Sequence, residues 1–431
     1  MLTMSQFAHI ITKGDWLSKC DIADAYYHTP ILHQFQHYFA FYYNNKTYCF
    51  TVLPFGLATG PFLFTSLLRP VIAYFRKEGI RIHAYLDDFI ILSSNYKKAK
   101  TDTHFVVSEL QMLGFKINFK KSELNPTQNI LFLGLQWNSH PPQVALPLEK
   151  WQKLQTLILT FLNSQEQTCR SLAQILGLIN FILITCSALR RHVRQLQLTL
   201  IDERRLLPQN ASYDLPIQIS PKVFATLNWW LQLPLHSFSC SLVPPIFSRS
   251  LATDASDWGW GAITDDDSVS FPWSTELLTK SIAYRELLAV FLALKHFKSL
   301  KNQTISLSID NTTAAAYIRK GGGTKSRTLL KLACDILQFT ENINSSIQPI
   351  YISSNWNYQA DVLSHNLPLQ EWKLADWAFS IIYKRWGTPQ LDLFASSRTT
   401  KTKLYYTLDK NDNKALGHNA MIHSWPHQYS L

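Results

Sequence analysis

Residues 83–93, HAYLDDFIILS, set two aspartates side by side, Asp87 and Asp88, inside an otherwise apolar run. Burying unpaired carboxylates is costly. The two acids therefore belong at the turn of a hairpin whose arms are the apolar residues on either side. An adjacent acid pair in a turn is ordinarily only a turn, because Asp bonds its own backbone there. Asp21, in the strand-like piece KCDIADAYYHTPI, changes the argument. A third carboxylate beside such a hairpin completes a hard oxygen cage for Mg²⁺, with Mn²⁺ the alternative. That cage suits phosphoryl transfer by two metals, one activating a hydroxyl and one stabilising the leaving pyrophosphate. Between the acids lies LPFGLATGP, where Gly56 and Gly60 let backbone approach a ligand, a plain turn being the alternative.

The pattern around this segment is α+β. KCDIADAYYHTPI, TYCFTVLPFG, HAYLDDFIILS and NILFLGLQW read as strand-centred pieces. TGPFLFTSLLRPVIAYFRKEG and YKKAKTDTHFVVSELQMLGF read as helices, each closed by a glycine. Residues 148–206 are mostly helical and run into IDERRLLPQNASYD, a candidate linker, and SLVPPIFSRS marks a second boundary. Beyond it strands and helices alternate, which predicts a mixed sheet with helices packed on it. Length supports two or three domains. We expect them at 1–147, 148–245 and 246–367, followed by a Trp-rich extension, 368–431, to which no fold is assigned.

A second set of acids lies in that later region: Asp254 in LATDASDWGWGA, Glu286 in AYRELLAV, Asp310 in LSIDNTTAA and Asp361 in NYQADVLSH. Each alone is ordinarily a solvated or capping residue. Brought to one end of a sheet they would repel one another, and two Mg²⁺ ions would compensate.

The net charge of +11 and an aromatic content of 13% favour a polyanionic partner. Six scattered cysteines without CxxC spacing favour buried thiols in a reducing compartment. The first residues have no basic region followed by an apolar run, so no secretory signal is expected and the chain is placed inside the cell. Ser171 to Leu189 is nearly long enough to span a bilayer. Gln174 and Asn180 interrupt it, and a buried packing helix is the expectation.

The sequence resembles the palm of reverse transcriptases. The matching pieces are D-x-x-D-A-Y at Asp21 to Tyr26, LPFG at Leu53 to Gly56, YLDD at Tyr85 to Asp88, LGFxIN…KS from Leu113 to Ser122, and FLG at Phe132 to Gly134. The resemblance implies Asp21, Asp87 and Asp88 as the catalytic triad, with Asp21 and Asp87 the direct metal ligands. It implies Tyr26 beneath the nucleotide sugar, Phe55 and Gly56 against the incoming base and template, and Lys121, or Lys120, as an acid for the leaving pyrophosphate. The family's basic fingers region precedes the first acid by some tens of residues. Here a short leader stands in its place, so the implied architecture is a palm with fingers largely missing.

The order Asp254, Glu286, Asp310, Asp361 on strand, helix, strand and helix resembles ribonuclease H. It implies an α/β ribonuclease H-like domain after a helical thumb or connection. That family's histidine before the last Asp has no counterpart between Tyr351 and Gln359, and His365 is expected to be a surface residue. A finer resemblance, to retroelements of the DIRS and Ngaro kind, rests on GDWLSKCDIADAYYHTPI, NWWLQLP, SIDNTTAAAYIRKGGGTKSRTLL, ADVLSH and WGTPQLDLFASSRTTK. The implied partners are an RNA template, a DNA primer, RNA–DNA hybrid and deoxynucleoside triphosphates. The alternative expectation is a non-catalytic or nuclease-only remnant that binds nucleic acid.

Overall fold

The computed structural model describes residues 4–208, 211–365, 373–387, 389–397, 399–409 and 412–423. Its α+β character is the one expected. Arg81–Tyr85 and Asp88–Ser93 form the predicted hairpin, and Leu86 turns the chain with φ 55, in the left-handed region. The second arm is an inner strand of an antiparallel sheet whose order is Arg81–Tyr85, Asp88–Ser93, Trp16–Asp21, Glu123–Thr127. Both faces of that arm are covered, which is why its sequence runs apolar without alternating. Phe89 and Ile91 pack with Phe64, Phe75 and Leu110 of the helices Gly60–Lys77 and Tyr96–Met112. Ile90 and Leu92 face the other way and join a core with Trp137, Ile158, Ile175 and Trp230.

That second core is built from the helices Leu148–Asn163, Cys169–Ile182 and Pro221–Gln232. The apolar run starting at Ser171 supplies Leu172, Ile175, Leu176 and Ile179 to it as a buried packing helix. Among the described residues no helix is long and apolar enough to cross a membrane. Two local expectations fail. NILFLGLQW is a hairpin, Asn129–Phe132 and Leu135–Ser139, because Leu133 (φ 51) and Gly134 (φ 76) reverse the chain within the apolar run. The first half of IDERRLLPQNASYD is not a linker but the end of a helix, Arg194–Leu206. Its charged side chains have partners: Arg204 lies over the Tyr213 ring at 4.3 Å, and Arg327 donates to Asp202 at 2.7 Å.

From Arg249 the expected mixed sheet appears, ordered Ser268–Pro272, Gly259–Thr264, Arg249–Ala255, Thr304–Ile309, Ser346–Tyr351. The first three strands are antiparallel and the last two run parallel to Arg249–Ala255. LATDASDWGWGAI thus holds two antiparallel strands joined by a turn. Helices Ile282–His296, Thr312–Arg319 and Arg327–Asn342 pack over this sheet through Leu287, Val290, Ile318, Leu332 and Ile336.

The sheet unit is clasped to the preceding helices by arginines. Arg191 donates to Gln338 at 2.6 Å and to Glu341, and Arg194 donates to the Gly321 and Lys320 carbonyls. A β-carbon on Gly321 (φ +63) would lie 2.8 Å from the Arg191 backbone nitrogen, so this seam requires glycine there. The expected boundary at 367/368 lies outside the described residues. Beyond it are a helix, Asp376–Trp386, and three short parallel strands, Leu391–Asp392, Leu404–Thr407 and Gly417–His418.

Candidate metal centres

Asp21 ends its strand almost fully buried and stands opposite Asp88 in the ladder. Asp87 occupies the hairpin turn, and its carbonyl accepts from the Ile22 N–H at 3.0 Å, tying the turn to the Asp21 strand. Two further bonds hold the Asp21 backbone. Its carbonyl accepts from the Asn118 N–H at 2.8 Å, and its own N–H donates to the Ser122 hydroxyl at 3.0 Å. A cavity of about 360 Å³ opens here, lined among others by Asp21, Asp87, Tyr26, Phe55, Asn118 and Lys121. Tyr26 lies in a short 3₁₀ turn, Ala25–His28, with its ring 5.0 Å from Phe55. Gly56 follows Phe55 with φ 93, a conformation that glycine adopts without strain.

Electrostatics favour a cation in this place. Burial, and then the charge of Asp21, raises the Asp87 carboxyl. Burial pushes Asp88 up to about 6, with Asp87 and Asp21 adding to it and Lys19 opposing. Tyr26 is also raised, by burial and by Asp87.

The second set of acids converges. Asp254 leaves the central strand at 4% exposure, Glu286 comes from the helix Ile282–His296 at 3%, and Asp310 follows the strand Thr304–Ile309. One ligand atom from each of these three lies within 4.8 Å of the others, and the same holds for Asp254, Asp361 and His365. His365 is therefore at the surface, as expected, yet beside the acids, with Nδ1 3.6 Å from Asp361 Oδ1. The helix Tyr358–His365 brings it there by sitting directly on Gly261. A β-carbon at Gly261 would come within 2.5 Å of Leu363 Cβ and 2.6 Å of the Ala360 carbonyl oxygen.

Burial pushes Glu286 up to about 9, helped by the charges of Asp254 and Asp310. Its Oε2 is buried with no hydrogen-bond partner among the described residues. Burial also raises Asp254, although Ser364 Oγ donates to its Oδ2 at 2.5 Å. Ser354 Oγ donates to Asp310 Oδ2 at 2.8 Å, and Asn357 Nδ2 to the Thr253 carbonyl at 3.0 Å. An all-carboxylate set with an orphaned buried oxygen fits a hard divalent cation.

Sequence reasoning assigned no role to Asn118, Ser122, Ser354 or Ser364. Asn118 and Ser122 stand in the quoted LGFxIN…KS piece, and Ser364 lies three residues after Asp361 on a helix and so shares its face, whereas Ser354 carried no local signal. Asp15 was also missed. It is buried, and Arg81 grips it with two bonds of 2.7 and 2.9 Å, anchoring the start of the Asp21 strand to the hairpin.

Residues 2–137 match the family description "Reverse transcriptase (RNA-dependent DNA polymerase)". The chain is 28% identical over 183 residues to Protein P of a duck hepatitis B virus, covering 42% of this chain and 23% of that protein. It is 29% identical over 167 residues to the Gag-Pol polyprotein of walleye dermal sarcoma virus, covering 38% of this chain and 9% of that one. The chain thus spans about a quarter or less of the length of these relatives. Among solved structures it is similar to a foamy viral protease-reverse transcriptase in complex with RNA/DNA hybrid, at 16% identity and a TM-score of 0.47, over 86% of this chain and 47% of that one. The match to the reverse transcriptase family thus covers the N-terminal third of the chain.

Proposed function

We propose that this chain is an RNA-directed DNA polymerase with ribonuclease H activity, from a retroelement of the DIRS and Ngaro kind. Its palm is residues 1–147, its helical connection 148–245 and its hybrid nuclease 246–367. The observation that carries the reading is the presence of two separate acid sites in one chain, the first inside the matched reverse transcriptase domain.

In the first site Asp21 and Asp87 hold the cations at the cavity wall, and Asp88 supports Asp21 across the ladder. Tyr26 and Phe55, their rings tilted by 48°, supply an aromatic wall for the sugar and base of a deoxynucleoside triphosphate, with Gly56 giving its backbone room. Lys121 stands at the same cavity as a proton donor to departing pyrophosphate. In the second site Asp254, Glu286, Asp310 and Asp361 hold the cations. Mg²⁺, when bound, supplies activation of the attacking oxygen and neutralisation of phosphate charge.

The test is primer extension on an RNA template beside cleavage of a labelled RNA–DNA hybrid, with the Asp87→Asn and Asp254→Asn variants. Extension should disappear in the first variant alone and cleavage in the second alone. Extension that survives Asp87→Asn overturns the polymerase assignment. The nuclease-only alternative draws support from the tighter convergence of the second acid set, and cleavage without extension by the unaltered chain would establish it.

A further inference from the structure

The two groups of converging side chains in the second site share Asp254 and differ in their chemistry. Asp254, Glu286 and Asp310 offer carboxylate oxygens alone, whereas Asp254, Asp361 and His365 offer two carboxylates and an imidazole nitrogen. The all-oxygen group contains the orphaned Oε2 of Glu286, a side chain 97% buried, which a cation beside Asp254 would satisfy.

His365 closes the helix Tyr358–His365 about one turn after Asp361, and so stands on the same face. Its Nδ1 lies 2.9 Å from the Asp361 carbonyl oxygen, 3.1 Å from Ser364 Oγ and 3.6 Å from Asp361 Oδ1. The shortest bond of Ser364 Oγ, 2.5 Å, sends its hydrogen to Asp254 Oδ2. Each of the three oxygens around Nδ1 is then left to accept from the ring. The proton of the neutral ring therefore stays on Nδ1, and the lone pair is on Nε2. Metal-ligating histidines are held in this way, the second ring nitrogen donating to a backbone carbonyl or a carboxylate. Half of the His365 side chain is exposed, so a cation can reach it from solvent.

Mg²⁺ takes oxygen ligands, whereas divalent transition metals accept imidazole nitrogen together with carboxylate. We propose that His365 is a metal ligand and that the second site is chemically asymmetric. Asp254, Glu286 and Asp310 take Mg²⁺, and Asp254, Asp361 and His365 take a divalent transition-metal ion. The inference rests on the two-cation reading of this site.

The experiment loads the full chain with Mn²⁺ and records its electron spin echo modulation. Asp21→Asn and Asp87→Asn are present throughout, so that the first site does not contribute. Bound Mn²⁺ should show the modulation of a directly coordinated imidazole nitrogen, and His365→Gln, which offers an amide oxygen instead, should erase it. In calorimetry the same substitution should weaken Mn²⁺ binding about tenfold, the lower end of what losing even an outer partner of a ligand costs, and leave Mg²⁺ affinity unchanged. Equal losses for the two metals would overturn the asymmetry. Mn²⁺ binding that Asp254→Asn abolishes, but with no nitrogen modulation or with one that survives His365→Gln, overturns the ligation and leaves the nuclease reading standing. Absence of any Mn²⁺ or Mg²⁺ binding that depends on Asp254 overturns both.

Discussion

Glu286 keeps its proton up to about 9 because its helix carries it into a dry place next to Asp254 and Asp310. A carboxyl whose pKa is raised on folding binds its proton more tightly in the folded chain than in the unfolded one. Between the usual 4.5 and about 9 the unfolded chain has released that proton and the folded chain has not, so stability falls as pH rises across this window. The slope reaches up to about 1.4 kcal/mol per pH unit for one such group. Asp88, pushed up to about 6, acts in the same direction at the lower end. Without divalent cations, thermal unfolding should show the melting temperature declining with pH, and Glu286→Gln should flatten the decline. Added Mg²⁺ competes with the proton, so its stabilising effect should grow with pH. A decline that Glu286→Gln leaves intact would show that this carboxyl is already ionised in the folded chain.

At the scale of elements, Gly261 decides where the last acid goes. Asp361 and His365 reach Asp254 only because the helix Tyr358–His365 lies against a strand with no side chain at that point. Gly261→Ala should lift the helix, cost roughly 1–3 kcal/mol in stability as overpacking does, and weaken Mg²⁺ binding measured by calorimetry. Mg²⁺ affinity equal to that of the unaltered chain would mean that Asp361 contributes nothing to the site.

The same scale shows what the sequence made legible. The Asp87–Asp88 hairpin was readable because two charges in an apolar run have only one place to go. The helices Gly60–Lys77 and Tyr96–Met112 were readable because their apolar residues keep helical spacing up to a glycine. The hairpin Asn129–Ser139 was not, since its turn is made by Leu133 and Gly134, and a leucine with positive φ carries no turn signal. The charged end of Arg194–Leu206 looked like a linker because Arg327, the partner of Asp202, is remote in sequence, and because Tyr213, over which Arg204 lies, gives no helix signal beyond the Pro208 break. For the second site, residue types and order were plain in the chain. Convergence was not, because it depends on strand pairing and on the close approach at Gly261.

Across the whole molecule the first site and the second belong to bodies that meet along a seam of arginines. Arg191 and Arg194 spend their donors on Gln338, Glu341 and the carbonyls of the Lys320–Gly321 loop. Replacing both with alanine should split a single cooperative unfolding transition into two, read by calorimetry, with the two acid sites left intact. One sharp transition in the double variant would show that the apolar contacts alone hold the bodies together.

On the proposed function, the glycine-lined seam would also act as a measuring stick. If both sites work on the same bound duplex, a rigid joint holds the point of RNA scission at a constant number of base pairs behind the growing 3′ end, and fragment length becomes a readout of how stiff that joint is. A chain loosened at Arg194 would still cut, but its products would spread into a ladder instead of gathering in one band.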